Sequence, residues 1–321
     1  MHHLSSSHHS RGRWLGLGLS GLGLYVLLPQ TGTFSSSLQQ LQRVQVIPVL
    51  GAVFAIGITF FLAAATYHFL ARQPLLFRRT VLVAVANMFT NRLLPAGTGS
   101  IATFFMYLRR RRHSISQATS VIAVNNFLGF LSHACLLTLL FVVDPNSFRG
   151  LRLPSFRPVV FIGILVGIVA IVLIVGSKKA WRRRSSRIAR SLGRDLTFYR
   201  RYPLRLSGAF ATSLALTIAN AATLWFCCHA VQVAIGPVAA LTVFTIGMVA
   251  GTITPTPGGL GGAEAGLLAG LVAYRVGSGQ ALAAVLLYRL LSYWLTLLVG
   301  AVTYIYVDRR GYLRPRPAQI T

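Results

Sequence analysis

Apolar residues run in long blocks separated by short polar ones, near 14–29, 46–71, 80–108, 117–143, 158–176, 206–235, 238–275 and 280–307. Several blocks reach the roughly 20 residues a helix needs to cross a bilayer. Two of them carry an interruption. The block 80–108 contains LPAGTGS (Leu94–Ser100), and the block 238–275 contains TITPTPGGLGGAEAG (Thr252–Gly266). Proline removes a backbone donor and stops a helix, and glycine permits backbone shapes other residues avoid. In lipid such a break is tolerated only where it packs in protein or lines a cavity. The pattern therefore predicts an all-α polytopic membrane protein with two broken segments at membrane depth.

Composition narrows this reading. The chain is 54% hydrophobic and 11% charged, with 31 Lys+Arg against 4 Asp+Glu, a net charge of +27. A soluble protein so basic would point to nucleic acid. Here the arginines flank apolar blocks, where they meet anionic headgroups, and no basic aromatic fold is present to stack bases. Nucleic acid is excluded as a partner. The longest polar segment, 177–205, is too short and too Arg-rich to hold a soluble core. The polar start, residues 1–13, reads as disordered. Residues 14–28 resemble the apolar part of a signal peptide without a small-x-small cleavage site, which predicts an uncleaved first span. A single transmembrane domain then covers 14–308, in halves of about 14–143 and 158–307, followed by a basic tail, 309–321. Cys135, Cys227 and Cys228 lie in apolar blocks with neither metal nor disulfide spacing.

The arginines also set topology, because basic residues mark cytoplasmic loops. Arg11 and Arg13 place the N-terminus inside, and the loop 29–45, with Arg43 alone, outside. Arg72, Arg78 and Arg79 bring the chain back in. A crossing at 80–108 would then leave Arg109, Arg110, Arg111 and Arg112 outside. The conflict disappears if 80–108 is a re-entrant hairpin, with half-helices near 81–92 and 101–108, each too short to span a core of about 30 Å. The block 238–275 becomes a second hairpin, opening outward. Six spanning helices and two re-entrant hairpins result, with both termini cytoplasmic. The outside loop 144–157, which carries Arg149, Arg152 and Arg157, is the exception to the charge rule.

The hairpins look related. LLPAGTGSIA aligns with PTPGGLGGAE, setting Pro95 on Pro257, Gly97 on Gly259 and Gly99 on Gly261. Downstream, Gln117-Ala118 matches Gln280-Ala281, and eight residues beyond each alanine stand Asn126 and Arg289. Opposite senses of the two hairpins make this an inverted repeat, the arrangement that places a substrate site near the midplane of transporters. The expected site comprises Arg92, Pro95, Gly97 and Gly99 from the first break and Pro255, Pro257, Gly258, Gly259, Gly261, Gly262 and Glu264 from the second. Arg289 and Asn126 join it from the spans that follow. Helix N-termini near Ser100 and Gly262 attract anions, and an intramembrane arginine is costly unless paired or facing a cavity. Glu264, the one acid well inside an apolar block, reads either as a gate or proton-coupling residue or as a structural partner of Arg289 or Arg92. Asn87, Asn91, Asn125 and Asn126 read equally as interhelical hydrogen-bond residues. Gly247-x3-Gly251 and Gly266-x3-Gly270 are small-residue packing motifs. His68, His133 and His229 lack ligand spacing, and no metal or cofactor is expected. Paired carboxylates, P-loop, HExxH and nucleophile elbow are all missing, which argues against an enzyme.

GTITPTPGGLGGAEAGLLAGLVAY (251–274) and ALAAVLLYRLLSYWLTLLVGA (281–301) resemble the lysylphosphatidylglycerol synthase transmembrane-domain family, also called flippase-like, over about residues 14–308. The first-half signature is NRLLPAGTGS. Where relatives often carry Gly-Glu and an Arg three residues on, this chain has Gly99-Ser100 and Thr103. In the larger relatives, the multiple peptide resistance factors, the module is joined to a soluble aminoacyl-transferase domain and is associated with moving the modified lipid between leaflets. The resemblance implies a stand-alone module, without lysyl transfer, in a bacterial cytoplasmic membrane. Its substrate would be an anionic phospholipid or a polyprenyl-phosphate lipid, with any partner enzyme encoded separately. A secondary transporter of a small anion, and a catalytic or non-catalytic subunit in lipid or glycolipid modification, remain the alternatives.

Overall fold

A computed structural model describes residues 44–94, 97–143, 197–254, 256 and 258–314. The first span (14–29), the span 158–176, the loop 144–157, most of the basic segment 177–205, both terminal stretches and Pro95, Pro255 and Pro257 lie outside the described residues. Among the described residues the chain is helical: α1 (Val46–Leu70), α2 (Phe77–Leu93), α3 (Thr98–Arg110), α4 (Ile115–Val143), α5 (Pro203–Ala230), α6 (Pro237–Ile253), α7 (Gly262–Ala273) and α8 (Ser278–Arg289). A π-helical segment, Leu290–Leu295, joins α8 to α9 (Thr296–Arg309). Among the described residues, four helices are long and apolar enough to cross a membrane: α1, α4, α5 and the continuous α8–π–α9 rod. The protein is a multi-pass membrane protein.

Prolines set the boundaries. The residue before a proline is held out of the helical region. Accordingly α2 ends just ahead of Leu94-Pro95 and α6 just ahead of Thr254-Pro255. Proline's fixed torsion suits a helix's first residue, and Pro203 and Pro237 open α5 and α6. The element order is the same in both halves: a long helix, two short ones, a long one. The register differs from the one expected. α2 and α6 are both 17 residues long and stop at the same distance from a proline, so the helix ends set Pro95 beside Pro255 rather than Pro257. The second turn is simply longer. Downstream, α4 and α8 each begin two residues before their Gln-Ala pair.

The short helices form two antiparallel pairs. In the first, Thr90 and Thr103 hydroxyls meet near the turn (2.7 Å), and Thr80 meets the Tyr107 hydroxyl at the open end (2.9 Å). The helices are longer than 81–92 and 101–108 because arginine is a good helix former, so the basic flanks extend them. Seventeen and 13 residues still make only about 25 and 20 Å at 1.5 Å per residue. In the second pair the two glycine motifs face each other. A Cβ on Gly251 would stand 2.8 Å from that of Ala263, and one on Gly266 3.0 Å from the Gly247 Cα.

The loops collect at two ends. Leu70 and Ala71 carbonyls accept from the Tyr199 hydroxyl (2.8 Å) and Arg205 Nη1 (3.1 Å), Arg72 stacks on Phe198, and Arg79 lies over Tyr312. The loops before and after the α2–α3 pair are tied together here, since Gln73 N–H donates to His113 Nε2 (3.3 Å). The other end holds Gln45, whose N–H donates to the Ala230 carbonyl (2.9 Å), with the α5–α6 turn. Arg72, Arg78, Arg79, Arg109–Arg112, Arg200, Arg201, Arg205, Arg309, Arg310 and Arg314 belong to the first end. Arg275, which follows α7, does not, and Arg92 and Arg289 lie within helices between the ends.

His113 makes that first end pH-sensitive. Its Nδ1 contacts the Leu108 carbonyl (3.2 Å) while Nε2 accepts from Gln73, a pairing that fits the neutral imidazole. Burial lowers its pKa, the hydrogen bonds to backbone oppose this in part, and Arg72 adds to the lowering. A base whose folded pKa is depressed contributes stability above its unfolded pKa, about 6.5, and loses it as pH falls. The detergent-solubilised protein is expected to show a flat Tm above about pH 7 and a falling one towards pH 5. His113→Gln should flatten that slope. An unchanged slope in the variant would assign the acid sensitivity elsewhere.

Candidate functional site

Glu264 sits in the first turn of α7, where a carboxylate is favoured by the helix's positive end. Its Oε2 accepts from the Gly261 N–H (2.6 Å), the reciprocal half of a capping box. Its Oε1 lies 2.7 Å from Arg289 Nε. Glu264 retains 5% and Arg289 7% of their accessible surface. Of the two partners expected for the acid, the structure selects Arg289 for direct contact. A buried pair of this kind is a poor source of net stability, since desolvation offsets the attraction.

Arg92 arrives from the other hairpin. It lies at the end of α2, one turn beyond Met88, and its Nη2 donates to the Ser292 carbonyl (3.0 Å) while its guanidinium lies 4.9 Å from the Tyr293 ring centre. Ser292 belongs to the π-helical segment, where backbone hydrogen bonds run i→i+5. The same carbonyl also accepts from the Thr296 hydroxyl (2.7 Å). The second break closes over this contact. Gly258 has φ +65°, and a Cβ there would collide with the Tyr293 ring and stand 3.3 Å from Arg92 Cδ. Gly259, φ +69°, lies against the backbone of Gly251, leaving no space for a side chain. The two breaks are thus brought together through Arg92, Gly258 and Tyr293.

The group is short of negative charge. Two guanidiniums face one carboxylate. Arg92 Nε and Arg289 Nη2 are buried and make no hydrogen bond among the described residues. Asn87 Oδ1 and Asn91 Oδ1 are likewise without a hydrogen bond. The other acid among the described residues, Asp308, is at the basic end beside Arg314 (3.2 Å). A buried cation without its full set of partners is expensive. An anionic group with several oxygens would satisfy both arginines.

The remaining predicted residues are distributed as follows. Gly97 caps α3 with φ +71°, and Gly99 packs in the first turn of α3 against the Thr90 carbonyl. Gly261 caps α7 and Gly262 begins it. Asn126 is not brought to the cluster. It lies on an exposed stretch of α4, where its Oδ1 is 3.5 Å from Asn125 Nδ2. Thr103, at the position where the resemblance places an arginine, bonds to Thr90 instead. His229 and His133 pack against Trp225 and Phe244, and no metal-binding group of His, Cys, Asp or Glu occurs among the described residues. Sequence reasoning missed Ser292 and Thr296. Their role depends on the π-helical segment, for which LLSYWL carries no warning.

The profile of a family described as the lysylphosphatidylglycerol synthase TM region matches residues 13–300. Comparison with individually curated proteins finds no match.

Proposed function

From the premise that the chain belongs to the family of lysylphosphatidylglycerol synthase transmembrane regions, we propose that it binds an anionic lipid headgroup between two re-entrant hairpins and carries it across the bilayer. The phosphate of a phospholipid or a polyprenyl-phosphate lipid is the group the site would hold. The observation that carries this reading is the pair of guanidiniums, Arg289 buried and Arg92 half-buried, beside a single carboxylate with nitrogens left over. Arginine's planar fork suits phosphate oxygens.

Two features support re-entry. The loops flanking α2–α3 touch each other, and the arginines gather at the same end, which the positive-inside rule makes cytoplasmic. The repeated element order, with hairpins opening to opposite sides, then describes an inverted repeat. As observed the site is closed. Parting the Glu264–Arg289 pair would free Arg289 Nε to act with Nη2, which has no hydrogen-bond partner among the described residues, and would open the space between the breaks.

Arg92 tests the reading without leaving an orphaned acid, because its direct partners are a carbonyl and a ring. Lipids that co-purify with wild type and with Arg92→Gln, identified by mass spectrometry after gentle extraction, should differ in one anionic species, enriched in the first and lost in the second. A bulk-membrane profile in both would reject lipid binding at this site and favour a small soluble anion.

A further inference from the structure

Arg92 meets the π-helical segment at two points. Its Nη2 donates to the Ser292 carbonyl, and its guanidinium lies over the Tyr293 ring, 4.9 Å from the ring centre. The carboxylate of Glu264 is held by Arg289 at 2.7 Å. An aromatic face attracts a guanidinium, but less than an ionised oxygen does. The ring is therefore the contact of Arg92 that an incoming anion can outcompete. Tyr293 retains 5% of its accessible surface, while Trp294, edge-on to it at 5.2 Å, is 48% exposed. The main chain under the ring is tied down, because the Tyr293 carbonyl accepts from the Thr296 hydroxyl (3.1 Å). Displacing the ring thus means turning the side chain about its own bonds.

The same ring also supports the second break. It packs on Gly258 so closely that a Cβ there would collide with it. Just beyond Gly258, two amides hold the turn in shape. Gly259 N–H donates to the Thr256 carbonyl (3.1 Å), and Gly261 N–H to Glu264 Oε2 (2.6 Å). The ring stands between the cation of the first break and the turn that leads to the acid of the second.

We propose that the Tyr293 ring is a place-holder on Arg92 that the headgroup phosphate displaces, so that filling the site and loosening the second break are one event. This rests on the reading that a headgroup phosphate binds between the hairpins. A group without an ionised oxygen offers Arg92 nothing stronger than the ring. Tyr293 is then the residue that reserves the site for anions and keeps it shut until one arrives.

The full-length protein in phosphatidylcholine nanodiscs, titrated with short-chain phosphatidic acid and read by native mass spectrometry, allows the test. Tyr293→Leu removes the competitor and should tighten binding by about threefold to thirtyfold, the range of a partly desolvated cation–π contact. Tyr293→Phe keeps a ring over Arg92 and should show no such gain. In an Arg92→Gln background the leucine should gain nothing either, because the effect runs through the guanidinium. Binding in Arg92→Gln alone equal to wild type would reject the phosphate reading itself. Weakened binding there, with no gain in Tyr293→Leu or the same gain in Tyr293→Phe, would overturn the place-holder alone. Hydrogen exchange in the wild-type protein needs no variant. Phosphatidic acid should speed exchange of the Gly259 and Gly261 amides as the ring leaves Gly258, and slowed or unchanged exchange would equally overturn the proposal.

Discussion

Arg289→Ala is expected to destabilise the protein by about 3–5 kcal/mol, because it strands a buried carboxylate, and to abolish headgroup translocation. Glu264→Gln/Arg289→Gln should recover most of the stability, since two neutral amides replace two buried charges, and a Gln at 264 can still accept from the Gly261 N–H. It should remain inactive. Thermal unfolding in detergent and lipid translocation in proteoliposomes separate the two effects. A single variant as stable as wild type would mean that the pair is solvated in the working protein. Wild-type translocation by the double variant would remove both residues from the mechanism.

Gly99→Ala and Gly262→Val should each cost about 3 kcal/mol or more, at the upper end of overpacking effects. A Cβ at Gly99 would collide with the carbonyl of Thr90 and stand 2.8 Å from the Asn91 nitrogen. One at Gly262 would collide with the Thr254 hydroxyl and lie 2.8 Å from the Ala250 carbonyl oxygen. Backbone atoms of a packed neighbour cannot rotate aside as a side chain can. Gly57→Ala and Gly129→Ala provide the controls. Neither meets an atom within 4 Å, and both sit mid-helix, where alanine is favoured over glycine by roughly 1 kcal/mol. A fall in Tm for the first pair and a neutral or raised Tm for the second is the expected pattern. Equal effects in all four would show that helix propensity, rather than close approach of the hairpin arms, decides.

Local chemistry explains which parts were legible in the sequence. Span length and apolarity marked α1, α4, α5 and α8–α9 directly. Pro95 and Pro255 marked the helix breaks because a pre-proline residue cannot stay helical. The Glu264–Arg289 contact was one of two pairings that charge allowed, and distance chose between them. What remained hidden depends on geometry that side-chain identity does not encode. Arg92 binds a backbone carbonyl, which no residue pattern advertises. Equating Pro95 with Pro257 followed the glycine spacing, whereas helix length sets Pro95 beside Pro255. Asn126 was matched to Arg289 by spacing alone, and the two residues have different surroundings, one exposed and one buried.

The wide turn after Arg289 divides one rod into two lengths, α8 and α9. A π turn holds one residue more than an α turn, so closing it would clock one side against the other by about 100°, the angle of a single α-helical residue. On the far side Gly300 lies against α2 so closely that a Cβ would be 2.9 Å from the Phe89 nitrogen and 3.0 Å from the Val85 oxygen. Its neighbours Val299 and Ala301 each carry a Cβ, for which that contact has no room. Arg289, the last residue of α8, stands at the joint where any such turn would be felt first.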